Sequence, residues 1–327
     1  MFSANQLYCP LEDRFHSIKQ EEQEQPCLLA LGSSPDGWVC MVDDNNIYLF
    51  NPFSGSRFAL PPFVVNKYSN NVSNQGLRGL PCEHLIKVVW TPDPTNSGPK
   101  SVVILTTKRL AVWRHSKQER CWTTFWSEYT PFSDIIYHEE EDMFYMISHL
   151  GCLMTFDLYS LKLAYHLPRP PRDISQMLIV SKELRYYLAM RGGLSSSSSS
   201  LMLVVREIEK RKTKGFKVFE LNRRRMRWEC KESLGDDGML FLGLNSSTYH
   251  FMIGGGGSKC KGNRIYFTDD SVGRSSYNNL NDLGGHDMGV FSLDDGSFEW
   301  NHCRKWKGPH PIWIFPNWQL PSIDFEI

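Results

Sequence analysis

The sequence predicts an all-β chain folded as a single β-propeller-like domain of five to six four-stranded blades. From residue 27 onward, short runs rich in Val, Ile, Leu and aromatic residues alternate with turn residues, which is typical of antiparallel strands. These runs form five groups of about four, each group some 40–60 residues long, the period expected of propeller blades. No convincing amphipathic helix interrupts them. A β-sandwich, or two smaller β domains, is the alternative that the pattern leaves open.

The strand-type runs follow one another in five units. The first unit has runs at 28–32, 38–42, 47–52 and 57–61; the second at 86–90, 101–106, 110–114 and 122–126; the third at 134–138, 143–148, 153–158 and 163–167. The fourth has runs at 177–181, 186–190, 201–207, 216–221 and 227–232; the fifth at 239–244, 249–253, 264–269, 288–293 and 297–300. In the fifth unit Asp294, Asp295 and Gly296 stand between two apolar runs, which is a strong hairpin signal. A sixth blade could come from the long fourth unit.

Composition sets the limits of the predicted domain. Residues 1–26 are polar and predict a mobile leader with a short helix around 11–19, residues 27–316 form the propeller-like domain, and residues 317–327 form a tail. The segment 311–314 could be a final strand that closes the ring of blades. The low-complexity runs 195–200 and 254–257 predict flexible loops between strands.

Charge and cysteine usage exclude several classes of protein. The chain has 36 basic and 36 acidic residues, so nothing global favours nucleic acid or an acidic membrane as a partner. No apolar run approaches the ~20 residues of a membrane helix, and the first residues lack the features of a secretory signal. The nine cysteines are scattered without C-x-x-C spacing, which argues against zinc and against a disulfide framework. Reduced thiols suit a cytoplasmic or nuclear protein, and no cofactor is predicted.

One stretch, 206–231, is rich in basic residues and predicts a candidate surface patch. Its members are Lys210, Arg211, Lys212, Lys214, Arg223, Arg224 and Arg225. These residues form two clusters, 210–214 and 223–225, and a pair of basic clusters resembles a bipartite nuclear signal or a phosphate-binding patch. The simpler interpretation, which we favour, is that they are the solvated ends of the apolar strand at 216–221.

The motifs that could carry chemistry have structural explanations. The glycine run 254–257 is followed by Lys259, but the next residues are a cysteine and a strand, whereas a phosphate-binding loop opens a helix. His286 and the nearby aspartates could be combined on paper into a metal or acid–base site, but no paired ligand spacing accompanies them. No G-x-S-x-G elbow marks a nucleophilic serine. We therefore predict no catalytic and no metal-binding residues.

An ordered set of segments resembles a plant family in which an N-terminal F-box precedes a β-propeller-like domain of unknown function, of the kelch-like, Skp-interacting type. The matching segments are 47–55, 60–62, 134–138, 144–145, 215–221, 233–236, 240–243, 245–246, 260–270, 287–291 and 311–314. They extend over roughly residues 27–316 in the family's order. Within them, eight residues are expected to determine the fold: Asn51, Pro52, Gly55, Gly262, Asn263, Asp269, Asp270 and Asp287.

The resemblance implies the substrate-recruiting half of an F-box protein. An F-box is a helical segment of about 40 residues, and residues 1–26 show no such pattern, so binding of a Skp-type ligase adaptor is not carried over. The leading hypothesis is a non-catalytic module that binds a protein partner through its loops. The alternative is a small-molecule-binding or enzymatic propeller that uses a central channel. A degenerate product of an expanded family, with no retained partner, is the third possibility.

Overall fold

The fold is described for sixteen stretches of the chain in a computed structural model. These are residues 6–9, 14–17, 29–34, 36–43, 46–62, 85–91, 99–106, 109–115, 122–126, 131–165, 183–192, 199–243, 246–251, 261–269, 287–300 and 312–315. Every regular element in them is a β-strand. None of the described residues forms a helix with the length and hydropathy needed to span a bilayer.

The described strands make a short hairpin and five larger sheets. The hairpin is β1 (Gln6–Cys9) with β2 (Arg14–Ser17); the first sheet is β3 (Leu29–Ser33), β4 (Val39–Asp43), β5 (Asn46–Phe50) and β6 (Arg57–Ala59). The second is β7 (Leu85–Trp90), β8 (Ser101–Thr106), β9 (Arg109–Arg114) and β10 (Thr123–Trp126); the third is β11 (Phe132–His138), β12 (Met143–Ser148), β13 (Leu153–Asp157) and β14 (Lys162–Tyr165). The fourth is β15 (Glu183–Arg191), β16 (Ser200–Glu209), β17 (Lys212–Asn222) and β18 (Arg227–Lys231). The fifth is β19 (Gly238–Gly243), β20 (Ser246–Phe251), β21 (Arg264–Phe267), β22 (Gly289–Ser292) and β23 (Phe298–Trp300).

These five sheets are the blades of a propeller, which confirms the predicted fold class with five blades. The innermost strands follow one another around the ring, because β3 packs on β7, β7 on β11, β11 on β15, and β15 on β20. The first four blades are simple antiparallel meanders. The fifth has the order β20-β19-β21-β22-β23, in which β19 and β21 are parallel, so its inner strand is second in the chain.

The N-terminal region differs from the sequence-based expectation. Residues 6–9 and 14–17 pair as an antiparallel hairpin, so the short helix expected around 11–19 was wrong for the part that the structure describes. Of the low-complexity run 195–200, residues 195–198 lie outside the described residues, whereas Ser200 begins β16. The run 254–257, Asp270, His286, the tail 317–327 and the strand predicted at 177–181 also lie outside the described residues. Residues 312–315 carry no strand, although the sequence suggested one there.

The hydrophobic core is divided among the boundaries between neighbouring blades. One buried cluster joins Leu31 and Trp38 of blade 1 to Val88 and Trp90 of blade 2, and comparable clusters join blades 2 and 3, 3 and 4, and 4 and 5. On its far side, blade 5 has a much smaller cluster, which residues 313 and 315 cover. In the part of the chain that the structure describes, the boundaries therefore bury unequal amounts of apolar surface.

Polar groups on the inner strands reinforce the boundaries among blades 2, 3 and 4. The Lys87 ammonium donates to Asp134 Oδ1 across 2.9 Å, and both side chains are buried. The other oxygen, Asp134 Oδ2, accepts a hydrogen bond from the backbone N–H of Leu188 at 2.7 Å. Since these residues lie on β7, β11 and β15, one carboxylate connects three blades.

Register shifts explain how these side chains reach each other. The pairing of β7 with β8 slips between Leu85 and Lys87, and that of β11 with β12 slips between Phe132 and Asp134. A β-bulge bends the strand and re-aims the side chain beside it. In β3 a similar slip ends at Gly32, where a Cβ would lie 2.2 Å from the Val88 carbonyl oxygen of β7. Only glycine allows the first two inner strands to approach this closely.

We predict that Lys87→Met lowers the free energy of unfolding at pH 7 by about 3–5 kcal/mol, because it leaves Asp134 buried without its cation. Lys261→Met, which removes the exposed ion pair with Glu299, should cost less than about 1 kcal/mol and serves as the control. Chemical denaturation of both variants measures the difference.

The destabilisation should also depend on pH. Burial already raises the pKa of Asp134, against the opposing effect of Lys87, and loss of Lys87 removes that opposition. A carboxyl whose folded pKa exceeds its unfolded value of about 3.9 loses stabilising free energy as pH rises toward the folded pKa. The loss caused by Lys87→Met should therefore be smaller at pH 5 than at pH 8, and equal losses at both pH values would contradict this account.

Candidate functional site

The two ends of the ring present different sets of turns. In a meander successive turns alternate between the ends, so the first and third turns of blades 3 and 4 share one end, here called the lower face. The second turns lie on the opposite end, the upper face. Because neighbouring inner strands pack side by side around the ring, turns from different blades come together on each face.

The predicted basic patch is divided between these faces. Lys210 and Arg211 form the turn between β16 and β17 on the upper face, with Lys212 and Lys214 at the start of β17. Arg223, Arg224 and Arg225 lie in the turn after β17, on the lower face. Between them runs a strand of 11 residues, or about 35 Å at the rise of a β-strand. The structure therefore does not bring the two basic clusters into one surface.

On the lower face, three turns of blades 3 and 4 form a contiguous surface. We call it the blade 3–4 patch; it comprises residues 139–142, 158–161 and 223–226. Arg223 forms an ion pair with Glu141 and lies over the ring of Tyr145, 5.8 Å from its centroid. Asp142 accepts a hydrogen bond from Tyr159 at 2.9 Å. These contacts tie the three turns to one another.

The patch combines apolar and charged side chains at its surface. Tyr159 is 79% exposed and Met226 is 44% exposed, although both are large and apolar. Glu139 and Glu140 are exposed on one turn, and Arg224 on the neighbouring turn. The hydroxyl of Tyr159 is held by Asp142, and this hydrogen bond is the main cause that raises the pKa of Tyr159. The ring is thus fixed in an exposed position.

A histidine that sequence reasoning missed lies beneath the patch. His138 ends β11 and is buried; its Nε2 lies 3.0 Å from Arg223 Nη2 and 3.2 Å from Ser199 Oγ. A guanidinium can only donate, so Nε2 is an acceptor and the neutral ring carries its proton on Nδ1. Burial, followed by the charge of Arg223, lowers the pKa of His138. No local pattern could have revealed this contact, because Arg223 follows His138 by 85 residues.

This serine–histidine contact differs from a catalytic dyad. The lone pair of His138 Nε2 already faces a guanidinium, which opposes the uptake of a proton from Ser199. Among the described residues, no carboxylate orients Nδ1, which has no hydrogen-bond partner there. An activated nucleophile needs a base that is free to accept its proton and is oriented by a third group. The arrangement fits a structural junction under the three turns.

Eight residues were expected to determine the fold, and one of them, Asp287, is buried and ion-paired. Its carboxylate accepts hydrogen bonds from Arg206 Nη2 at 2.9 Å and from Thr213 Oγ1 at 2.7 Å, and all three residues are buried. Arg206 also donates to the Thr268 carbonyl at 2.9 Å and lies over the Phe267 ring. Asp287 therefore joins blade 4 to blade 5 rather than facing solvent.

The other residues of that set lie at turns and close approaches. Asn51 is buried and its Oδ1 accepts hydrogen bonds from the N–H groups of Phe53 and Ser54, in the turn that Pro52 and Gly55 share. Gly262 is so close to the Asp236 backbone that a Cβ would lie 1.6 Å from its carbonyl oxygen.

Asn263 and Asp269 complete the described part of the set. Asn263 has φ 55° and its Oδ1 accepts a hydrogen bond from the Leu234 N–H at 2.9 Å. Asp269 is buried. Among the described residues, no group of three or more histidine, cysteine or acidic side chains is placed to hold a metal ion.

Comparison with known proteins identifies one family. A family model described as the KIB1-4 beta-propeller matches residues 7–292. No curated protein matches the chain significantly.

Several solved structures align with part of the chain. AztD from Citrobacter koseri aligns at 9% identity and TM-score 0.36, covering 66% of this chain and 50% of that one. The Dos1 propeller aligns at 8% identity and TM-score 0.38, covering 65% and 51%. The Cps50 (Swd1) β-propeller domain of Myceliophteria thermophila aligns at 11% identity and TM-score 0.35, covering 59% and 56%. The chain thus spans less than two thirds of each of these structures.

We predict that Asp287→Asn lowers the free energy of unfolding by at least about 2 kcal/mol, because the buried Arg206 guanidinium loses its counter-charge. The control is Asp237→Asn, at an exposed position, with an expected change within about 0.5 kcal/mol. Thermal and chemical unfolding measure both variants. A variant that keeps wild-type stability but loses binding of Mg²⁺, Ca²⁺ or Zn²⁺ detected in the wild type would instead make Asp287 a ligand.

Proposed function

Because the chain belongs to the KIB1-4 β-propeller family, we propose that it is a non-catalytic module that binds a protein partner through the blade 3–4 patch. The observation that carries the proposal is that Tyr159 and Met226 are exposed on interlocked turns that also present charges of both signs. Exposed tyrosine, methionine and arginine side chains are enriched at protein–protein interfaces. Few such anchors provide most of the binding energy.

The rigidity of the patch supports the same function. Tyr159 is held by Asp142, and Arg223 is held by Glu141 and by His138 Nε2, so the three turns lose little conformational freedom when a partner binds. Preorganised contact groups gain affinity because the cost of ordering them is already met in the free protein. Propeller blades provide this kind of scaffold for variable turns.

The finer assignment follows the resemblance to the substrate-recruiting domain of plant F-box proteins. We propose that the bound partner is a protein presented for recruitment, and that binding needs no Skp-type adaptor. The nine cysteines are scattered in the sequence without the spacing of a disulfide framework, which supports a reducing compartment, the cytoplasm or the nucleus. Nucleic acid is not proposed as a partner, since the basic clusters lie on opposite faces.

Partner capture with matched surface variants tests the proposed interface. The double variant Tyr159→Ser, Met226→Ser should capture at most one tenth of the specific partner protein that the wild type captures, because both interface anchors are removed. Leu150→Ser is the matched control, because Leu150 is 54% exposed on the upper face. The melting temperature of each variant shows whether the fold is intact.

The control variant should capture as much as the wild type. Equal capture by both variants, with both folded, would place the interface elsewhere on the ring. The adaptor question has a separate test, a pull-down of the full chain with a Skp-type adaptor. Saturable binding of that adaptor would overturn the adaptor-independent form of the proposal and leave the interface result unaffected.

A further inference from the structure

The boundary between blade 5 and blade 1 is built differently from the other four. Each of the others has a buried apolar cluster of at least eleven described residues shared by two blades. On the far side of blade 5, the described cluster contains three buried residues, Met239, Phe241 and Tyr266, and residues 313 and 315 pack on it. A short segment therefore occupies the place where a neighbouring blade packs elsewhere.

This segment, residues 312–315, contacts both blades. The Trp313 indole N–H donates to the Leu242 carbonyl of β19 at 2.9 Å, and the Trp313 carbonyl accepts from Ser33 Oγ of β3 at 2.7 Å. The Phe315 carbonyl also lies against Gly37 in the turn after β3, where a Cβ would be 3.0 Å from it. One tryptophan thus bridges the first and the last blade.

Aromatic packing gives the segment its specificity. Trp313 and Phe315 both meet Phe241 edge-on, with ring centroids 5.1 Å apart in each case. Phe315 is also stacked on His250, at a centroid distance of 4.0 Å. The two anchors are two positions apart, as they must be to point to the same side of an extended chain. Since residues 312–315 pair with none of the described strands, these side chains carry the recognition in place of a hydrogen-bond ladder.

From these contacts we propose that residues 312–315 are a strap that closes the ring, and that the cleft between blades 1 and 5 is a binding site for a short Trp-x-Phe segment. The strap occupies this site in cis. Its contacts with the described residues come from two aromatic side chains and two hydrogen bonds, with no sheet pairing among them, so a peptide with the same anchors competes for the same cleft. A second copy of the chain offers the same segment.

His250 requires a neutral ring in this site. Burial lowers its pKa to about 4, and its Nε2 has no hydrogen-bond partner among the described residues. The rings packed on it are Phe241 and Phe315, neither of which compensates a positive charge. Since the unfolded pKa is about 6.5, stability is fully present above that pH and falls as the pH drops toward 4. Unfolding should take up nearly one proton at this site between pH 4.5 and 6, and His250→Phe should abolish that uptake.

Hydrogen exchange of the full chain tests the strap. In the double variant Trp313→Ala, Phe315→Ala, we expect backbone amides of β3, β4, β19 and β20 to exchange at least tenfold faster. Amides of β12 and β16, in blades 3 and 4, should change by less than about threefold, because local openings follow local contacts. The matched control is Tyr159→Ala, which removes a large aromatic side chain far from the cleft and should change none of the four strands.

A peptide in trans tests the binding site. A synthetic peptide of residues 310–317, added to the double variant, should restore protection of β3 and β20, whereas a peptide with alanine at both anchors should not. Unchanged exchange in the double variant, or equally faster exchange in all blades, would overturn the strap. Local loss of protection that the wild-type peptide does not restore would overturn the recognition site.

Discussion

The carboxylate of Asp134 is the contact on which the ring most depends, since it accepts hydrogen bonds from Lys87 and Leu188 on the two flanking inner strands. Apolar contacts are not directional, so they fix the alignment of neighbouring blades less strictly than hydrogen bonds do. A buried carboxylate must keep its donors, because an unpaired charge in the interior costs several kcal/mol. The pair therefore fixes how blades 2, 3 and 4 align. Arg206 and Asp287 have the same role between blades 4 and 5.

These buried pairs explain why the last boundary can be closed by a strap. The pairs fix three boundaries, and the close approach of Gly32 to Val88 fixes the boundary between blades 1 and 2. The distance between blade 5 and blade 1 is then set by the ring, and the final contact only has to cover the apolar edge of blade 5. Trp313 and Phe315 do this with two hydrogen bonds and aromatic packing. Such a boundary opens before the others do, because it buries the least apolar surface of the described core.

Local patterns in the sequence were sufficient for the fold class. The alternation of apolar runs and turns located most strands, and the turn at Asp294–Gly296 follows directly from its residues, with Gly296 at φ 70°. The pairs that hold the blades together were not visible, because Lys87 lies in a run that is otherwise apolar and Asp134 is 47 residues away. Arg206 was counted with a surface stretch, although it is buried. Partners distant in sequence have no local signature. The N-terminal hairpin was missed for a different reason, because each of its strands has only four residues, too few to show a strand pattern.

The charged residues show how one stretch of sequence is distributed over the two faces of the ring, as the favoured interpretation of solvated strand ends expects. The basic stretch 206–231 is divided by β17 between the two faces, and its first residue, Arg206, lies outside the candidate patch and is buried in the core. The role of the basic residues on the lower face depends on the residues that they contact. Arg223 of blade 4 is held by Glu141 and His138 of blade 3, and this places its turn beside the turn of Tyr159. A binding surface on a propeller is therefore a property of turns from adjacent blades. Because the blade 3–4 patch and the strap lie on different blades, partner binding and ring closure can be altered separately.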